Sequence, residues 1–167
     1  MLPIKRLRDW FVADALPVWL EKGYDRQNQS FHERLNFDFT PITCDGKRVL
    51  VQARQVYTYS FFANSIDGAS EAAQSAFEFM YTKCRHPTGG WRHRVTREGA
   101  PLDDSRDLYD QAFAIFAAAM SYRATGREEA LALAIDTLDY LDAERAHPAG
   151  GYTELVSADR SVHEGLR

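Results

Sequence analysis

The sequence predicts an all-α array of helical-hairpin repeats, and three observations carry that prediction. An aromatic residue recurs at Phe31, Trp91 and Tyr152, at spacings of 60 and 61 residues. Its surroundings recur with it. His86-Pro87-Thr88-Gly89-Gly90-Trp91 is echoed by His147-Pro148-Ala149-Gly150-Gly151-Tyr152, and Pro41 and Pro101 each follow their aromatic by ten residues. Between these marks apolar residues return at helical spacing, so each repeat reads as a loop, a helix, a short turn and a second helix.

The elements follow in order. Residues 3–21 carry Leu7, Trp10, Phe11, Asp14 and Val18 at helical spacing, and Gly23 can end that helix. Residues 47–65 and 69–84 read as two further helices parted by Asp67-Gly68. Over 105–125 the helix has Asp104 or Ser105 to cap its start and Gly126 to close it in a left-handed turn. Residues 127–144 follow, with Leu131, Ile135, Leu138 and Leu141 on one stripe. The loops at 24–45, 86–103 and 147–160 alternate polar and apolar residues, which predicts short β-hairpins. Tandem helix pairs bury their faces against neighbouring pairs, and a curved array of them can close into a ring. The chain holds about two and a half repeats, whereas a six-repeat ring of this period needs roughly 360 residues.

Composition narrows the functional classes. With 45% hydrophobic and 26% charged residues, the 167-residue chain can bury an ordinary core. The net charge of -4 and the lack of any Lys/Arg block argue against nucleic acid and anionic membranes as partners. The first ten residues lack a signal-peptide pattern, and no apolar run approaches the roughly 18 residues of a membrane span. Cys44 and Cys84 form no disulfide framework, so a cytoplasmic location is expected. Aromatics make up 13%, a density that serves packing first and carbohydrate sites second. Cys84 and His86 lack further ligands nearby, so no metal is expected, and no glycine-rich phosphate loop is present.

Four segments resemble one family in order and with the expected gaps. They are Gly23-Tyr24-Asp25 through Phe31-His32-Glu33-Arg34; Arg48-Val49-Leu50-Val51-Gln52-Ala53-Arg54-Gln55-Val56-Tyr57; Gly89-Gly90-Trp91-Arg92 through Gly99-Ala100-Pro101-Leu102-Asp103; and Asp107-Leu108-Tyr109-Asp110-Gln111-Ala112-Phe113. Together they resemble the N-terminal part of the N-acylglucosamine 2-epimerase family. The resemblance implies an (α/α)6 toroid, here a partial barrel. It also implies cofactor-free epimerisation or aldose–ketose isomerisation of a sugar such as an N-acylglucosamine, mannose or cellobiose. In that family two histidines from the later half act as general acid and base. A chain ending at Gly165-Leu166-Arg167 is then expected to lack them and to be inactive alone. Many members carry His where this sequence has Gln111, which leaves the substrate open.

Such a reaction removes a proton beside a carbonyl and develops negative charge on oxygen, so it needs a positioned cation or donors there. Arg54 is the candidate catalytic group, with Tyr57 at i+3 on the same face; the alternative is that Arg54 pairs with Asp107 or Asp110. Asp107 and Gln111, at i and i+4, are candidates to bind sugar hydroxyls, against a reading in which they are solvated or cap the helix. Trp91 is a candidate to stack on a sugar face, against a role as loop anchor shared with Phe31 and Tyr152. Tyr109 and Asp110 are read as structural. Among the histidines, His86 and His147 are read as loop-structural and only His93 lies near the presumed cavity. Two other classes stay open. A glycoside hydrolase or lyase would draw carboxylates from Asp103, Asp104, Asp107 and Asp110. A non-catalytic helical-repeat module would expose apolar faces and form a homo-oligomer.

Overall fold

The computed structural model describes residues 3–157 and the backbone of residues 162–163. Helix α1 (Pro3–Trp10) continues through a wide turn at Phe11–Ala15, the short α2 (Leu16–Val18) and a second wide turn at Trp19–Gly23. Then follow α3 (Val49–Phe61), α4 (Ala69–Phe79) extended by a wide turn at Met80–Cys84, α5 (Leu108–Thr125) and α6 (Glu128–Glu144). The helices form two layers. Helices α3 and α5 pack side by side in one, while α4 lies against α3 and touches α5, and α6 lies against α5.

Each buried stripe has the 3.6-residue period. On α3 it is Val49, Gln52, Ala53, Val56, Tyr59 and Ser60, and on α5 it is Asp110, Gln111, Ala114, Ala117, Ala118 and Ser121. Alanine dominates the stripes of α4 and α5, which lets the helix axes approach closely. On α6 the buried stripe is Ala130, Leu133, Ala134, Thr137, Tyr140 and Leu141. The predicted stripe is corrected there: Leu141 is buried as expected, but Ile135 and Leu138 are exposed, because the buried face of α6 runs through Ala130, Leu133, Ala134 and Thr137 instead.

The predicted hairpins are present. Strands β1 (Tyr24–Asp25) and β2 (Ser30–Phe31) pair antiparallel. Strand β3 (Lys47–Arg48), at the entry to α3, pairs with β4 (Arg94–Val95) of the next loop, which pairs with β5 (Pro101–Asp103). One repeat later β6 (Arg106–Asp107), at the entry to α5, pairs in the same way with β7 (Leu155–Val156), and β7 with β8 (Val162–His163). These pairings start α3 at Val49 and α5 at Leu108, later than the apolar pattern alone places them. The cap of α5 is corrected accordingly. Asp107, rather than Asp104 or Ser105, is the N-cap, its carboxylate accepting from the Tyr109 N–H at 2.7 Å.

The repeat motif has a physical basis. In both later loops the two glycines hold positive φ, 97° and 71° at Gly89 and Gly90, 94° and 74° at Gly150 and Gly151, a region open to glycine at little cost. The histidine at the head of each loop accepts a backbone N–H through Nδ1, from Thr88 to His86 and from Ala149 to His147. The aromatic that follows is clasped by a glutamine on the next helix. The Phe31 N–H donates to Gln52 Oε1 at 2.8 Å while Gln52 Nε2 donates to the Phe31 carbonyl at 2.9 Å. The Trp91 N–H donates to Gln111 Oε1 at 2.7 Å and Gln111 Nε2 returns to the Trp91 carbonyl at 2.9 Å. Gly23 ends its helix for a different reason from the one expected: it lacks positive φ, and a Cβ there would meet Trp19 Cε3 at 2.3 Å.

Candidate functional site at the N-terminal ends of α3 and α5

The seam between α3 and α5 carries Arg54 and Tyr57 from one side and Tyr109, Phe113 and Phe116 from the other. The exposed Arg54 guanidinium lies 4.8 Å from the Phe113 ring centre, and Arg54 Nη2 donates to the Tyr109 hydroxyl at 3.4 Å. Neither Asp107 nor Asp110 forms an ion pair with Arg54, so among the described residues its charge is held by an aromatic face and a hydroxyl, not by a carboxylate. One turn further on, the half-buried Tyr57 stacks on Phe116 with ring centres 4.3 Å apart.

Beside this pair sits a second polar group. His93 in the loop before β4 shares a hydrogen bond of 2.7 Å between Nδ1 and Asp110 Oδ2. Asp110 is 1% exposed, and the Leu50 N–H in the first turn of α3 also faces its carboxylate. Burial raises the Asp110 carboxyl above its ordinary range, opposed by His93. The hydrogen bond to Asp110 in turn raises the His93 imidazole. The His93 side chain remains 31% exposed. The folded pKa of His93 lies above the unfolded one, so its protonated form stabilises the fold below about pH 6.5 while Asp110 stays ionised, and that contribution is lost as pH rises through the folded value. An NMR titration of the His93 ring is expected to show this raised midpoint, and Asp110→Asn is expected to return it toward or below the ordinary histidine value.

Asp107 completes the group: ligand-type atoms of His93, Asp107 and Asp110 lie within 4.8 Å of one another. Each is already engaged, with Asp107 Oδ1 capping α5 and Asp110 Oδ2 bonded to His93 Nδ1.

The structure sorts the predicted site residues. Arg54, Tyr57 and Asp107 lie along the exposed end of the α3–α5 seam. Gln111 does not project with Asp107: its side chain is fully buried, with Nε2 also donating to the Asp107 carbonyl at 3.1 Å, and it serves the Trp91 clasp. Trp91 is 1% exposed and its indole N–H donates to Thr137 Oγ1 at 3.0 Å, so it offers no open face for stacking. It is an anchor, as is the fully buried Phe31, whereas Tyr152 is 40% exposed. Tyr109 and Asp110, read as structural, touch Arg54 and His93. The signal for Asp110 was present in the sequence: it shares a helical stripe with Ala114, Ala117 and Ala118, and an acid on such a face needs a partner. The remaining acids have protein partners too. Asp104 pairs with Arg92 at 2.6 Å and Asp103 accepts the Ser105 N–H at 2.9 Å. Four engaged carboxylates are not the free pair that a glycoside hydrolase requires.

Fold and site together define a class: tandem helical hairpins with a cationic, aromatic-backed site at one end of the helix seam. The family model described as N-acylglucosamine 2-epimerase (GlcNAc 2-epimerase) matches residues 30–166, and the chain belongs to that family. It is 32% identical over 157 residues to a mannose-6-phosphate isomerase of Rhizobium meliloti (strain 1021), covering 89% of this chain and 39% of that protein. The cellobiose 2-epimerase structure from Spirochaeta thermophila DSM 6192 is 30% identical, with a TM-score of 0.85 over 95% of this chain and 40% of its own. A sugar epimerase structure from a ruminal bacterium is 27% identical with a TM-score of 0.87, over 98% of this chain and 42% of its own. The chain thus spans about two fifths of the length of these relatives, and its helices form part of an (α/α)6 toroid. Among the described residues no helix is long and apolar enough to cross a membrane.

Proposed function

We propose that this chain supplies the oxyanion-stabilising part of a sugar 2-epimerase or aldose–ketose isomerase site, with Arg54 as the catalytic cation. The observation that carries this reading is an exposed guanidinium backed by the Phe113 ring and the Tyr109 hydroxyl with no carboxylate among the described residues to neutralise it. Proton abstraction next to a sugar carbonyl gives an enediolate, and a fixed positive charge at its oxygen stabilises the charge that develops. The substrate is a small sugar, a class that the similarity to sugar isomerases and epimerases supports. His93, held toward its charged form by Asp110, suits anion binding better than proton abstraction. A group other than His93 therefore takes the proton, and chemistry of this kind needs no cofactor. The exposed side chains of Ile4, Leu7 and Trp10 on α1 and Ile135 and Leu138 on α6 support further packing partners, a second copy among them, which light scattering reports.

The test is proton–deuterium exchange at C2, followed by NMR with mannose, glucose, fructose and N-acetylglucosamine in D2O. In the protein that carries this chain, Arg54→Ala is expected to slow exchange by about 100- to 1000-fold, the scale of losing one oxyanion donor. Exchange at the full rate in that variant overturns the assignment.

A further inference from the structure

Helix α1 presents an apolar face that the chain itself does not cover. Ile4, Leu7 and Trp10 recur every three residues and are each more than half exposed, and no residue of α1 is buried. A contiguous apolar stripe left in water marks a contact surface rather than a core. The surroundings of that stripe are basic: α1 carries Lys5, Arg6 and Arg8 against the single acid Asp9. Helix α6 is the last helix among the described residues. On one side of it Leu131, Ile135 and Leu138 follow at i, i+4 and i+7, and Ile135 and Leu138 are almost half exposed. Its surroundings are acidic. Helix α6 holds Glu128, Glu129, Asp136, Asp139, Asp142 and Glu144 and no basic residue. Arg85 takes Asp136 at 3.6 Å and Arg127 takes Glu129 at 3.8 Å. Among the described residues Glu128, Asp139, Asp142 and Glu144 have no cation within ion-pair distance.

The two faces complement each other. In an array of helical hairpins each pair buries its side against the next, so the faces left open are those at the ends. Here one open face is apolar with basic surroundings and the other apolar with acidic surroundings. That pairing favours contact between unlike ends and penalises contact between like ones. A second copy of the chain carries the complement of both. An anionic membrane is the other surface that a basic amphipathic helix fits, but the net charge of -4 opposes it. We infer that α1 of one copy packs on α6 of a second, with Leu7 and Trp10 against Ile135 and Leu138 and the α1 cations beside Glu128 and Asp139. The contact is head to tail, and every copy brings both halves of it. It does not depend on the sugar-isomerase reading of the Arg54 site.

Sedimentation equilibrium of the full chain across the micromolar range, in low and high salt, tests this contact. Concentration-dependent association that weakens as salt is added is expected. Leu7→Ser and Leu138→Ser, both at exposed positions, should each weaken it about tenfold or more. Reversing the α1 charges (Lys5→Glu with Arg8→Glu) or the α6 charges (Glu128→Lys with Asp139→Lys) should weaken it several-fold. Both reversals in one chain should restore it, a recovery that a folding defect does not give. Circular dichroism verifies that each variant folds. A chain that stays monomeric throughout overturns the inference. So does association that Leu7→Ser or Leu138→Ser leaves unchanged, or that the combined reversal fails to restore. Binding of a monomeric chain to vesicles containing anionic lipid, lost on reversing the α1 charges, gives α1 to a membrane surface and also overturns it.

Discussion

Lys47→Met is expected to destabilise the fold by about 3–5 kcal/mol, the scale for leaving one member of a buried ion pair alone. Lys47 is 1% and Asp25 4% exposed; their charged atoms lie 2.9 Å apart, and Lys47 Nζ also donates to Ser30 Oγ at 2.6 Å. The ammonium further sits 5.3 Å from the Phe79 ring centre. Burial alone would raise the Asp25 carboxyl, but hydrogen bonds from Asn28 and Lys47 outweigh it and hold the value at about 2. A depressed folded pKa means that this group stabilises the protein above the unfolded carboxylate range, near pH 4, and loses that contribution as pH falls toward 2. In the variant the sign reverses, because the isolated carboxylate is penalised by burial and protonation relieves it. Denaturant unfolding should therefore show a difference between the two proteins that is large at neutral pH and shrinks on acidification. Arg97, 3.7 Å from Asp25 but with a side chain 40% exposed, is too well solvated to replace Lys47. A loss under about 1 kcal/mol that is constant with pH contradicts this account.

Gln111→Ala is expected to cost about 2–6 kcal/mol, because it orphans two buried backbone groups of Trp91 at about 1–3 kcal/mol each. For a protein of this size that is a fall in Tm of roughly 5 °C or more. The second repeat loop would lose its tie to α5. Gln111→Glu is the sharper variant: similar in shape, it keeps an acceptor for the Trp91 N–H but, when ionised, cannot donate to the Trp91 carbonyl. It should be destabilised at neutral pH and partly recover in acid. Were Gln111 instead a sugar ligand, both variants would retain wild-type Tm and lose only binding. Thermal unfolding followed by circular dichroism distinguishes these outcomes.

The contrast between Gln111 and Arg54 shows what was legible in the sequence. The repeat period was legible because it is written in residues with strong local requirements: the paired glycines at positive φ, the His-Pro turn and the closing Gly126 at φ 70°. Helix spans followed from the same periodicity, with errors at the starts of α3 and α5, where β3 and β6 take two residues into pairings with later loops. Arg54 was legible as a charge on an otherwise apolar helix within a family motif. Gln111 carried the same kind of signal but points inward, because a polar residue that clasps a buried backbone and one that faces a ligand look alike until the neighbouring loop is placed. The His93–Asp110 bond joins residues 17 apart through the register of β4 against β3, and no periodicity encodes that register.

In the proposed site a sugar lies at the N-terminal end of the α3–α5 seam, against Arg54. Amide and side-chain NMR shifts of the labelled chain, followed during titration with mannose, test it most directly. Shifts are expected at Arg54 Nε and at the Tyr109, Phe113 and His93 resonances, with the outward faces of α4 and α6 silent. Shifts confined to those outward faces, or none at saturating sugar, would contradict it.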